Sequence, residues 1–263
     1  MPNTANVSTG KPKVAGAVFR APLGTALPTD AGTALSAAFS EMGYVSDDGI
    51  SNSNKPDSEK VRAWGGQTVL VIYNSKDDTF KIKFIESLNP NVLETVYGEV
   101  NVTVDGAAGT IHVAVNASEP TEYVYVIDMA MKGGALKRIV IPQGSLSDLA
   151  DIVYRDNQAV GYEVTLDALP DANGDSHHEY IKLPAGSTMS LSLDESTLSV
   201  AHGSTSQLVA TTTPAGLRVT WGSSDTSKAT VDASGLVTGV AAGSATITAT
   251  IGGVSQTCSV TVT

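Results

Sequence analysis

The hydrophobic and polar positions divide this chain into stretches of different period. Residues 1–28 hold four prolines and little periodicity, which predicts an extended N-terminal arm that is poorly ordered unless another surface holds it. The pattern then turns helical. Leu35, Ala38, Phe39 and Met42 recur at i, i+3, i+4 and i+7, with Asp30 as cap and Gly43 as stop. Residues 44–63 are rich in Ser, Asn, Asp and Gly and read as a loop or a loosely paired hairpin. From Gln67 the period becomes that of a strand: TVLVIY is a nearly continuous apolar run, and Phe80, Ile82 and Phe84 alternate with Thr79, Lys81 and Lys83, so one face is expected to be buried. Asn89, Pro90 and Gly98 frame a short helix whose apolar face is Leu93, Val96 and Tyr97. Further strands are expected at 111–115, 123–129, 136–141, 152–155, 160–168 and 180–183, with a turn at DANGD, residues 171–175.

After Pro184-Ala185-Gly186, which reads as a linker, charges nearly vanish and Ser, Thr, Val, Ala and Gly dominate. Short apolar runs lie near 189–193, 197–200, 206–212, 218–221, 229–231, 236–237, 244–250 and 256–262. Turns every eight to twelve residues or so are the spacing of a β-sandwich, with Trp221 expected between its sheets. The division is an arm over 1–28, an α+β domain over 29–183, a linker over 184–186 and a sandwich over 187–263. The fold class is mainly β, with antiparallel sheet and one or two helices.

Composition adds the following. The chain is 41% hydrophobic and 16% charged, with a net charge of −11, which is the balance of a folded protein. Residues 1–186 carry −9 of that charge and residues 187–263 carry −2. An acidic surface without a Lys/Arg cluster argues against binding DNA through its phosphates. Cys258 is the single cysteine, so no intrachain disulfide is expected and it reads as a core residue. The start, MPNTANVSTGKPK, carries no apolar stretch of signal-peptide length, and no run approaches the roughly 20 apolar residues of a membrane span. A soluble chain made in the cytoplasm is expected. The sequons at Asn6, Asn101 and Asn116 then read as chance.

Chemistry is sparse. The nucleophile elbow, the P-loop, the dinucleotide fingerprint, H-E-x-x-H and C-x-x-C are absent, and no catalytic, cofactor or metal residue is expected. Asp175, His177, His178 and Glu179 form the best metal candidate. Adjacent histidines on a strand point to opposite faces, so they read as a solvated turn. Asp47-Asp48 and Asp77-Asp78 lack calcium-loop spacing and read as surface turns. Tyr123, Tyr125 and Tyr162 invite a sugar-stacking reading, but in strands they read as core.

Two resemblances follow from longer motifs. WGSSDTSKATVDASGLVTGVAAGSATITAT, residues 221–250, resembles the group 2 bacterial immunoglobulin-like domain. Its W-x-S-S-D is met from Trp221 to Asp225, its G-L-V-T-G from Gly235 to Gly239, and its G-x-A-x-I-T-A from Gly243 to Ala249. The first domain resembles the major tail tube protein of long-tailed, siphovirus-type bacteriophages. The likeness is carried in order by LSAAFSEMGYVSDDGIS, VRAWGGQTV, FKIKFIESLNPNVLETVYG and LKRIVIPQGSLSDLADIVYRDNQAVGYEVTLDALPDANG. It implies a structural subunit of the virion tail, assembling into hexameric rings that stack as a conduit for DNA. The implied partners are further copies of itself and the tape measure, tail-tip and tail-terminator proteins. DNA would pass through the lumen without tight binding, and the Ig-like domain would make weak host-surface carbohydrate contacts, with no membrane insertion. Because Ig-like domains of this group also occur on adhesins, a surface adhesin or a head-decoration protein is the alternative.

Overall fold

The computed structural model describes residues 7–13, 17–184 and 189–263, so Asn6 and most of the expected linker lie outside the described residues. Contacts separate residues 8–184 from residues 185–263 as two compact units.

In the first unit the strands are β1 (Gly10–Pro12), β2 (Val18–Pro22), β3 (Ser40–Glu41), β4 (Val45–Arg62) and β5 (Thr68–Phe84). After helix α1 (Pro90–Tyr97) come β6 (Val102–Asp105), β7 (Thr110–Val113), β8 (Tyr123–Met131), β9 (Leu136–Leu149), β10 (Tyr162–Leu169) and β11 (His178–Lys182). One antiparallel sheet runs β3-β2-β8-β9-β10-β5-β4, with β1 beside β8 and β11 beside β9, while β6 and β7 form a separate hairpin. Alternation decides its inner face. Phe80, Ile82 and Phe84 line it beside Val164, Leu166, Tyr125, Ile127 and Ile141, and α1 packs on them with Val92, Leu93 and Val96. The helix is framed as its sequence predicts: Asn89 accepts from the Asn91 N–H at 3.0 Å, and the Gly98 N–H, at φ +91°, donates to the Glu94 carbonyl at 2.9 Å. Arg20 ties it to β2, donating to Thr95 Oγ1 at 2.9 Å and pairing with Glu94.

The N-terminal stretch is an extended arm held by another surface, because β1 and β2 both pair with β8. Two expectations fail in this unit. Residues 30–42 form no helix. Asp30 does accept from the Thr33 N–H at 2.6 Å, as a cap would, but Ser40–Glu41 pairs with Arg20 and Phe19 as an edge strand. Arg138, buried in β9, donates to the carbonyls of Asp30 at 2.9 Å and Thr33 at 3.0 Å. The same guanidinium holds Asp128 through two bonds of 2.6 and 2.7 Å, so the loop is fastened to a fixed buried charge pair. Residues 152–155 form no strand, only a bridge between Arg155 and Gln158.

The second unit comprises β12 (Ser190–Leu193), β13 (Thr197–Val200), β14 (Thr205–Gln207), β15 (Ala210–Thr213), β16 (Thr220–Ser223), β17 (Ala229–Val231), β18 (Leu236–Gly239), β19 (Gly243–Ile251) and β20 (Val254–Val262). The sheets are β13-β20-β19-β16, β14-β18-β17 and β12-β15. Ala245, Ile247, Ala249 and Ile251 form the inward row of β19, and Cys258 is fully buried opposite Ile247. Trp221 is half-buried and touches both apolar clusters of the unit. The expected strand at 206–212 is two strands, because the chain changes partner there: Leu208 bonds Gly235, and the Val209 carbonyl receives the Asp194 N–H.

Candidate assembly surface

The β4–β5 hairpin has two halves with different surroundings. In the inner half β5 is paired on both sides, with β4 and with Tyr162–Asp167 of β10, and its odd-even alternation matches a sheet with one buried face. Beyond Asn54↔Asp78 the two strands pair only with each other, from Lys55↔Asp77 out to Arg62↔Thr68. At about 3.3 Å per residue, this outer half projects about 25 Å. Trp64 is fully exposed in the tip, where Gly65 and Gly66 take φ of +105° and +88°, a backbone that glycine adopts freely.

The outer half contains the apolar run. Val69, Leu70, Val71, Ile72 and Tyr73 are 41% to 60% exposed. Leu70 lies opposite Val61 and Ile72 opposite Glu59, whereas Val71 lies opposite Lys60 and Tyr73 opposite Ser58. Apolar side chains thus project from both faces. A continuous apolar strand is the pattern of sheet covered on both sides, and here neither side is covered. The expected buried face is found only in the inner half. Completing the burial of these five side chains would contribute on the order of 5 kcal/mol. The charges differ as well: residues 55–77 hold four basic and three acidic side chains, while the remainder of residues 1–186 holds ten and twenty. A slightly basic arm stands on a strongly acidic body.

The hairpin is anchored where it leaves the sheet. Asp78 is buried, accepts from Asn52 Nδ2 at 2.7 Å and pairs with His177 Nδ1. The His177 ring meets Phe80 edge-on at 5.2 Å. Asp78 is therefore an anchor and not the surface turn its sequence suggested; its parity with Phe80 and Ile82 was the available signal. Asp47 and Asp48 sit at an irregularity of β4, next to Gly49 at φ +76°.

The other candidate residues separate. His178 turns away from His177 and lies 3.2 Å from Asp171, and Glu179 pairs with Lys137 at 2.7 Å. Asp171, Asp175 and His178 bring ligand atoms within 4.8 Å of one another. Asp171 stands in place of two of the four residues weighed as a metal candidate, and its carboxyl, held low by the N–H groups of Asp175 and Asn173, already accepts their bonds. Tyr123, Tyr125 and Tyr162 are buried in the core, where burial raises all three phenols, Tyr162 to about 12. Asn101 is buried and exchanges side-chain bonds with Asn116. No described helix is long and apolar enough to cross a membrane.

A family described as phage tail tube protein matches residues 7–188. The chain belongs to that family. A second, described as bacterial Ig-like domain (group 2), matches residues 187–262. Both agree with the resemblances carried by the motifs. Family membership gives the tube protein a structural role in the tail. No curated protein matches. Among solved structures, the S-layer protein rSbsC(31-844) aligns at 12% identity over 83% of this chain and 51% of its own, with a TM-score of 0.27. The protocadherin GammaB4 extracellular domain aligns at 12% identity over 86% and 62%, with a TM-score of 0.24. The chain thus spans about half the length of the S-layer structure, and neither superposition is close enough to carry an argument.

Proposed function

We propose that residues 8–184 form rings, hexameric by family resemblance, that stack into the tail tube, with the outer β4–β5 hairpin inserted between subunits. The observation that carries this reading is the two-sided apolar run of β5, from Val69 to Tyr73, which the free subunit leaves uncovered. Assembly covers it, and ring closure removes the free edges at the two ends of the main sheet. The basic arm meets the acidic body of a neighbour, which makes assembly sensitive to salt. An acidic lumen repels passing DNA phosphates and so serves ejection without tight binding. The Ig-like unit is displayed outside the tube for weak contacts with host-surface carbohydrate.

Electron microscopy of the purified full-length protein, alone and with tail-tip complexes, tests this. Hollow tubes with external knobs are expected, and removal of residues 187–263 should leave bare tubes. Tubes that form unchanged after residues 56–75 are replaced by a short turn would refute the role of the hairpin; persistently isolated particles under all conditions would refute the tube reading.

A further inference from the structure

Residues 30–43 carry both ends of a helix without the helix. The Asp30 carboxylate accepts the N–H groups of Gly32 and Thr33, the bonds an N-cap makes to the second and third helical residues. Gly43 takes φ +72°, the left-handed backbone of a residue just beyond a helix. Between them Leu35, Ala38, Phe39 and Met42 keep helical period. Yet residues 36–39 close a turn, the Phe39 N–H donating to the Ser36 carbonyl at 3.1 Å, and residues 40–41 form β3. That strand makes two residue pairs, with Phe19 and Arg20, and it occupies one edge of the main sheet. Short edge strands are a common device against unwanted pairing. Local preference and observed structure disagree here, as they do in segments that change state on assembly.

We propose that residues 31–42 are a switch: an edge cover over β2 in the free subunit, and a helix once a strand of a second copy takes that edge. The inference rests on the tube reading and adds its regulation. In the free chain the β2 edge is blocked, so subunits do not add to one another in solution. At a growing tube end an incoming strand displaces Ser40 and Glu41 together with the Met42 N–H bond to the Val18 carbonyl and the Asn91 side-chain bond to the Glu41 carbonyl, and the released segment coils between caps already set. Met42, fully buried, anchors the end of the segment nearest the sheet. The carbonyls of Asp30 and Thr33 can keep Arg138 while also accepting helical N–H groups, since each carbonyl has two lone pairs.

Two substitutions in the full-length protein test this with opposite signs. Ala37 is the second residue of the 36–39 turn, where proline fits well. In a helix the same proline would remove the bond to the Thr33 carbonyl and clash with that turn. Ala37→Pro should therefore unfold at the wild-type urea midpoint yet elongate tail-tip-seeded tubes more than about tenfold more slowly. Ser36→Ala, which only raises helix propensity, should elongate about twofold faster. Wild-type tubes should also show more helix by circular dichroism than the same mass of free subunit. Ala37→Pro elongating at the wild-type rate, or tubes and free subunits with equal helix content, would overturn the switch and leave the tube reading standing. Failure of the wild type to assemble at all would overturn both. Should Ala37→Pro fail to fold, the Ser36→Ala rate and the helix content decide.

Discussion

Leu70 and Ile72 offer the most direct measurement of what the outer hairpin contributes. They lie two residues apart on one face of β5, opposite Val61 and Glu59, and are 55% and 41% exposed. Full burial of such a side chain contributes about 1.5–3 kcal/mol, so the part still exposed can supply about 1 kcal/mol from each residue. Threonine retains strand propensity while removing most of the apolar area. Leu70→Thr with Ile72→Thr should therefore weaken each intersubunit contact by about 2 kcal/mol, or about 30-fold in the critical concentration for tube growth, at about 1.4 kcal/mol per tenfold. The assay is sedimentation of seeded tubes over a concentration series, checked by electron microscopy. Because both residues are exposed in the free subunit, its own unfolding should change by no more than about 0.5 kcal/mol. A critical concentration within about a factor of two of wild type would show that this face stays solvated in the tube. A parallel loss of subunit stability would show instead that the run is part of the subunit's core.

Other consequences can be checked on the free protein. Arg138→Met should destabilise the first unit by about 3–5 kcal/mol in urea, because it leaves Asp128 buried with only Lys13, 3.6 Å away. Adding Asp128→Leu should recover much of that loss, and additive costs would refute the pairing. Gly235→Ala should cost about 2 kcal/mol or more, since φ is +86° and a Cβ there would lie 2.5 Å from the Leu208 carbonyl oxygen; an unchanged midpoint would contradict that. Asp30, Asp171, Asp225 and Asp232 have carboxyls held below their usual value by hydrogen bonds, Asp30 at about 2. Their stabilisation is complete above the unfolded value near 3.8 and is lost as pH falls below it, so thermal midpoints should drop between about pH 4 and pH 2. Tyr162 works in the other direction. With its phenol raised from 10.0 to about 12, its neutral form is the favoured one, and stability should hold up to pH 10 and decline towards pH 12.

The sandwich was nearly fully legible in the sequence because each of its strands has a clean period and each turn its own residues: β13 and β17 fall on the expected positions. Helix α1 was legible for the same reason, through Asn89, Pro90 and Gly98. Residues 30–42 were not, because what holds them is a guanidinium more than a hundred residues away. A periodic pattern records local preference and is silent about a distant donor. Asp128 and Arg138 are direct cross-strand partners, but that pairing emerges only once the register is known. The outer hairpin misled differently. Its apolar run reads as buried, and in the isolated chain it is exposed; on the proposed tube reading, the sequence records burial in the assembly as well as in the monomer.

The pairing of β13 with β20 has a mechanical consequence. These strands are parallel, Thr197 to Val200 against Ser259 to Val262, and they lie near the two ends of the Ig-like unit. Tension applied between residue 197 and the C-terminus pulls the strands lengthwise past each other, loading all their hydrogen bonds together instead of opening them singly. The unit is thereby built to hold when pulled from its ends.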